Sequence, residues 1–196
     1  KFIQFIYFFS AATYSSQEEF GSYVFLLTLN LVFVYPVLEW GTELLINQYT
    51  AKKDKHFFSN ALFWKFLVFP FLFLAITSYS VLQEGFAWSL SILGFLLILI
   101  RSLEQSSYAF FRGSGNVEYE ALHLTLSRSI SLILLLSFLW METLQAIYIF
   151  LFQIIGSSFS LLLVHYRFKT FQSIKTPNWE GLRKIFYEGF PLALTA

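Results

Sequence analysis

FAWSLSILGFLLILIRSLEQSSYAFFRGSGN, residues 86–116, is the stretch that decides the fold. Residues 86–111 carry only two charges, Arg101 and Glu104. As a helix that run rises about 39 Å, more than the roughly 30 Å hydrocarbon core of a bilayer. It stops at Arg112-Gly113-Ser114-Gly115-Asn116, a helix breaker that carries a positive charge. A long apolar run closed by a short basic breaker is one crossing of a polytopic membrane protein, and the chain repeats that unit on both sides.

Working outward, the runs at residues 20–46 (with Pro36 and Gly41 inside), 61–82 (with Pro70), 121–140 and 144–168 are each long enough to cross, which makes residues 86–111 the fourth span and these the second, third, fifth and sixth. Proline is tolerable inside such helices because packed neighbours re-satisfy the freed carbonyls, and each is expected to mark a kink. Residues 1–13 form a shortened first span, joined to the second by a short loop at 14–19. Residues 169–181 read as a polar linker, and a seventh helix is expected from about Leu182. The sequence starts at Lys1 inside one apolar stretch and ends at Ala196 inside another, so it is expected to be a fragment cut at both ends. The domain reading is an N-terminal transmembrane lobe (1–168, six spans, the first truncated), a cytoplasmic linker (169–181) and the start of a seventh span (182–196).

Composition agrees with that class. Of 196 residues, 57% are hydrophobic and 13% charged, and phenylalanine alone occurs 26 times. A soluble domain carries about 25% charged residues. There is no cysteine, hence no disulfide and no thiol chemistry.

Charge fixes an orientation. The segments after spans two, four and six hold Lys52, Lys53, Lys55, Arg112, Arg167, Lys169, Lys175, Arg183 and Lys184. Those after spans one, three and five hold no lysine or arginine, but Glu18, Glu19, Glu84 and Glu142. The positive-inside rule makes the first set cytoplasmic and the second external, with very short outer loops.

Six charges remain inside spans: Lys65, Arg101, Arg128, Glu39, Glu43 and Glu104. An ionisable group at mid-bilayer costs about 2.5–3.5 kcal/mol on insertion scales, so such groups turn to a bundle interior or a wet cavity. From the rise per residue, Arg128 lies about 10 Å and Arg101 about 15 Å from the cytoplasmic ends of their spans, and Lys65 about 6 Å. An inner, net-cationic vestibule follows, with Arg101, Arg128 and Lys65 as candidate anion-binding residues. Lys65 can also simply snorkel to the inner interface. Glu39, Glu43 and Glu104 are the candidates for ion coupling or structural pairing; Glu39 and Glu43, four apart, are expected to share a helix face, and otherwise to cap the helix or pair with loop lysines. Arg101 and Glu104, three apart, are candidates for an ion pair within the bundle. Trp40, Trp64, Trp88, Trp140 and Trp179 fall near span ends and read as an aromatic belt. Gly113-Ser114-Gly115 lacks the Lys-Ser/Thr and the strand–helix setting of a phosphate loop and reads as a turn. His56, His123 and His165 have no metal-ligand spacing, and no nucleophile–base arrangement stands out. Neither metal nor cofactor is assigned.

Several segments carry a family resemblance: Glu18-Glu19-Phe20-Gly21-Ser22-Tyr23 entering span two, Glu39-Trp40-Gly41 late in it, and Tyr108-Ala109-Phe110-Phe111-Arg112-Gly113 with Asn116, Glu118 and Tyr119 after span four. Ser127-Arg128 in span five and Gly189-Phe190-Pro191-Leu192 near the end complete the set. In order and spacing these resemble the Wzx-like lipid-linked oligosaccharide flippases of the multidrug/oligosaccharidyl-lipid/polysaccharide (MATE/MOP) exporter superfamily. Glutamate stands at Glu39 where that family usually has aspartate. The resemblance implies an all-α polytopic protein of the bacterial inner membrane, of which this chain is the N-terminal six-helix lobe. The implied function is movement of polyprenyl-pyrophosphate-linked oligosaccharide from the cytoplasmic to the outer leaflet for surface polysaccharide such as O-antigen. The implied partners are that substrate, membrane lipid and a coupling H+ or Na+, with no nucleic acid. A cation-coupled multidrug exporter of the same superfamily is the alternative, favoured by acidic residues in the cavity. A membrane sugar polymerase or ligase needs a large external loop for its chemistry, and the short outer loops argue against one.

Overall fold

A computed structural model describes residues 2–52, 54, 56–82, 85–138, 144–168 and 176–193. All regular structure among them is helical: α1 (Phe2–Tyr14), α2 (Gln17–Phe33), α3 (Tyr35–Glu39), α4 (Thr42–Ala51), α5 (His56–Leu82), α6 (Trp88–Gly113), α7 (Val117–Phe138), α8 (Ala146–Phe168) and α9 (Trp179–Ala193). Five segments are long and apolar enough to cross a membrane: α2 through α4 together, α5, α6, α7 and α8. That is the architecture of a multi-pass membrane protein. The outer surface fits it, since Phe66, Phe71, Leu74, Ile133, Phe159 and Leu162 all point outward from the bundle. Exposed apolar side chains in that number suit acyl chains rather than water.

α6 is the axial helix. It packs against α2, α4, α5, α7 and α8, and most of its length is buried. The main core gathers Tyr23, Leu26, Phe95, Ile98, Ile149 and Phe150 around it, and a second cluster of Phe57, Phe58, Phe110, Phe111 and Ile185 closes one end. α7 lies closely along α8 because Gly156 has no side chain: a Cβ there would stand 2.3 Å from Ser131 Oγ and 2.6 Å from Ser127 O.

The two expected kinks come out differently. Pro70 lies inside the unbroken α5. The second span instead breaks twice. Pro36 occupies the first turn of α3, where its missing N–H is no loss. Then Trp40 (φ 34°) and Gly41 (φ 70°) both turn left-handed before α4 begins. For a tryptophan that conformation is costly and has to be imposed by its surroundings. Glu39 and Glu43 therefore belong to different helices and share no face, which corrects the reading from their spacing.

The loop ends sort by chemistry. At one end, Ser16 caps α2 by accepting the Glu19 N–H (3.2 Å), and the Glu19 carboxylate accepts the Ala146 N–H (2.7 Å) at the start of α8. Leu144 N–H also reaches Tyr14 O at 3.2 Å. At the other end, Gly115 (φ 80°) closes α6: its N–H bonds Arg112 O, and Asn116 N–H bonds Phe111 O. These are the two bonds of a Schellman cap, and the left-handed residue in one is best filled by glycine. The Arg112 guanidinium bridges Glu43 (2.7 Å) and Glu120 (3.1 Å), tying α4, α6 and α7.

α9 starts at Trp179, before the expected Leu182, and packs on α4 and α5. Asn178 sets its start: the Asn178 side-chain oxygen accepts the Gly181 N–H, while Asn178 N–H donates to Asn60 (both 2.8 Å). Trp40, Trp64 and Phe186 cluster there in tilted and edge-on contacts, with ring centroids 6.2–6.4 Å apart. Two of the five tryptophans thus serve packing rather than an interfacial belt. Trp88 and Trp179 are exposed at helix starts. Lys53, Lys55, Glu84, Trp140, Glu142, Lys169 and Lys175 lie outside the described residues, as does the side chain of Arg167.

Candidate functional site

The axial helix carries polar residues at helical spacing: Arg101, Glu104, Gln105 and Tyr108, at i, i+3, i+4 and i+7. That period puts them on one face. α7 answers with Ser127, Arg128 and Ser131, and α8 with Gln153 and Ser157, four apart. Together with Gln4, Tyr7 and Phe8 of α1, and Leu31 and Tyr35, they line a cavity of about 350 Å³ inside the bundle. Both span arginines, Arg101 and Arg128, face this single space.

The two are held differently. Arg101 donates through its terminal nitrogen to Gln153 Oε1 (2.7 Å), and Gln153 Nε2 donates to the buried Tyr23 hydroxyl (2.6 Å). A chain from α2 through α8 thus aims one guanidinium. Among the described residues Arg128 has no hydrogen bond or ion pair. A guanidinium has five N–H donors and no way to lose its charge, so Arg128 is a cation waiting for acceptors. Its neighbours on α7 and α8 are hydroxyls: Ser127 and Ser157 meet at 3.0 Å, and Ser131 donates to Ser127 O (2.9 Å).

Glu104 is 8% exposed and faces the same cavity. It does not close an ion pair with Arg101, whose fork turns to Gln153 instead. Its Oε1 has no hydrogen-bond partner, and neither does Nε2 of the fully buried His123, 3.9 Å away. The far side of the same imidazole, Nδ1, meets the Tyr108 hydroxyl at 2.7 Å.

Lys65 lies elsewhere. Its ammonium is fully buried and bonds Glu39 Oε1 (2.7 Å), Ser102 O (2.9 Å) and Ser102 Oγ (2.6 Å). An ammonium has three N–H donors, and all three are taken. It neither snorkels to an interface nor has a donor left for a ligand, so the expectation that it binds substrate gives way to a structural role. The other Glu39 oxygen accepts from the Thr42 hydroxyl (3.2 Å), across the left-handed break. Glu43 is engaged by Arg112. Of the three span carboxylates, only Glu104 remains in the cavity.

Gln153 and Ser157 were not singled out in the sequence, and Tyr23, Tyr108, Ser127 and His123 entered it only inside quoted motifs or as histidines without metal-ligand spacing. The signal was the polar stripe at 3.6-residue period along otherwise apolar helices. The chain matches no known protein family, no curated protein and no solved structure.

Proposed function

We propose that this chain is a transporter lobe without covalent chemistry, one that moves a polyprenyl-pyrophosphate-linked oligosaccharide from the cytoplasmic to the outer leaflet of the bacterial inner membrane for surface polysaccharide synthesis. The observation that carries the reading is Arg128, a guanidinium with no hydrogen bond or ion pair among the described residues, lining with Arg101 one polar cavity inside an apolar bundle. Such a cation is expensive to keep in a membrane unless an anion uses it. Guanidinium suits phosphate oxygens because its planar fork donates two parallel hydrogen bonds. The serine hydroxyls and Gln105 around it supply neutral polar groups that a pyrophosphate or sugar would also use. The cavity is lined by α1, α2, α3, α6, α7 and α8, whose outward faces are apolar and suit the lipid tail.

The test is export of surface glycan. Arg128→Ala should abolish it while the protein still accumulates in the membrane, and Arg128→Lys should keep part, since lysine supplies the charge without the fork. Normal export by well-expressed Arg128→Ala would refute the reading. A second reading, a cation-coupled exporter of small molecules, is favoured by Glu104 in the same cavity. It predicts that Glu104→Gln, rather than Arg128→Ala, is the change that stops transport of an organic cation.

A further inference from the structure

Two helices of the bundle are held by other helices more than by each other. α1 packs on α7 and ties to α8 through the Tyr7 hydroxyl, which donates to Ile149 O (2.7 Å), while α2 packs on α6 and α8. α1 and α2 themselves meet only sparsely. Between them, at the end that carries Glu18 and Glu19, lies an open groove of about 800 Å³. Ala12, Phe20, Gly21, Val24 and Phe25 line it with a few neutral polar residues, and no charged residue among those described does. The groove and the arginine cavity share their helix faces. On α2, Gln17, Gly21, Val24 and Thr28 line the groove, and Leu31 and Tyr35 of α2 and α3 line the cavity. Their spacing, i, i+4, i+7, i+11, i+14 and i+18, is a single face of a helix. Val34, between α2 and α3, stays right-handed (φ −93°, ψ −49°), so the face is not interrupted. On α1, Gln4 and Phe8 in the cavity and Ala12 and Ser15 in the groove repeat the pattern at i, i+4, i+8 and i+11. From Gln17 to Tyr35 the stripe rises about 27 Å, close to the roughly 30 Å of the hydrocarbon core. Tyr23 stands where the two spaces adjoin. Its ring lies 6.1 Å from Phe8 of the cavity wall and 6.1 Å from Phe20 of the groove wall, and its hydroxyl holds the Gln153 that aims Arg101.

We propose that the α1–α2 seam is the binding groove for the isoprenoid tail of the lipid-linked substrate, which lies along the seam toward Gln17 while Arg101 and Arg128 hold the pyrophosphate. The proposal rests on the pyrophosphate reading above and gives the other half of that ligand its place. Apolarity alone does not choose the place, because acyl chains solvate an isoprenoid as well as a leucine-lined surface does. The choice is made by where the head cavity opens to the bilayer. A tail tethered by its bound head samples the nearest gap at high effective concentration. The other helices around the cavity close their gaps: α7 lies along α8 through Gly156, α1 packs on α7, and α2 packs on α8. The α1–α2 seam is the gap left among the described residues. Its chemistry suits a methyl-branched chain. A Cβ on Gly21 would meet nothing within 4 Å, Val24 and Phe25 are exposed along the groove, and no charge has to be desolvated there.

The experiment uses farnesyl pyrophosphate with a photoreactive diazirine at the far end of its tail, bound to the full chain in nanodiscs and located after irradiation by peptide mass spectrometry. The label should fall on residues 12–28 and be displaced by excess unlabelled farnesyl pyrophosphate. Gly21→Trp should lose it, because a side chain there enters open space and its indole occupies the groove. Label on α5, α7 or α8 in place of α1 and α2, or label undiminished in folded Gly21→Trp, would overturn the proposal. So would labelling of residues 12–28 by a diazirine phospholipid that farnesyl pyrophosphate does not displace, which gives the groove to bulk lipid. Should Gly21→Trp not accumulate, Thr28→Phe takes its place, since Thr28 is also exposed in the groove. Binding of inorganic pyrophosphate to the unsubstituted protein keeps the two readings apart. Where it binds, a misplaced label refutes the groove alone; where it does not, the anion site and the groove fall together.

Discussion

Lys65→Met tests the reassignment of that residue. The ammonium is fully buried, the Glu39 carboxylate beside it is 12% exposed, and three donors meet three acceptors at 2.6–2.9 Å. Removing one partner of a buried pair leaves an uncompensated charge, which costs about 3–5 kcal/mol. Methionine is close to lysine in volume, so little of that cost comes from a cavity. The position makes the loss larger, because Glu39 sits one residue before the left-handed Trp40 and is shared with Thr42 on the far side of the break. The double variant Glu39→Gln/Lys65→Met removes both charges and should recover most of the stability, as replacements of whole buried pairs often do. Unfolding free energy measured by steric trapping in bicelles reads both numbers. The folded double variant should also export glycan near the wild-type level. A single-variant cost below about 1 kcal/mol, or a stable double variant unable to export, would refute the clamp and return Lys65 to the substrate.

Other outcomes follow from the same geometry. Arg112→Ala removes half-exposed pairs with Glu43 and Glu120; each such pair is worth about 0.2–1 kcal/mol, so the loss should be small and shrink further in high salt. Gly156→Val drives a branched side chain into Ser131 and the Ser127 carbonyl; it should cost at least about 1–3 kcal/mol and separate α7 from α8, read as lost stability together with lost export. Gly115→Ala places an L side chain at φ 80° in open space, costing about 1–2 kcal/mol by backbone strain alone with export retained. In this cysteine-free chain, Glu18→Cys should react with an impermeant maleimide in intact cells and Ser114→Cys should not; the reverse pattern would invert the topology.

The long crossings were legible because run length needs no partner: a 26-residue apolar stretch is a span whatever it packs against. The cavity was legible only in its charges, Arg101, Arg128 and Glu104. Charge at membrane depth announces itself, whereas Ser127, Gln153 and Ser157 are ordinary residues until α7 and α8 turn them to one space. Spacing misled where the backbone departs from a helix. Glu39 and Glu43 are four residues apart, but two left-handed residues between them cancel the rule that places i and i+4 on one face. Partners distant in the chain were out of reach: Lys65 finds Glu39 across 26 residues and Arg112 finds Glu43 across 69, pairings that exist only once α3, α4, α5 and α6 have packed.

The most direct measurement is binding of farnesyl pyrophosphate, with farnesol as its uncharged counterpart, to the purified full chain and to Arg128→Ala. If Arg101 and Arg128 are the anion site, the pyrophosphate binds and farnesol binds far more weakly. Arg128→Ala then weakens the first by roughly ten- to a hundredfold, the worth of a hydrogen bond to a charged group, and leaves the second unchanged. Equal affinity for the two ligands, or a pyrophosphate affinity indifferent to Arg128→Ala, would contradict it.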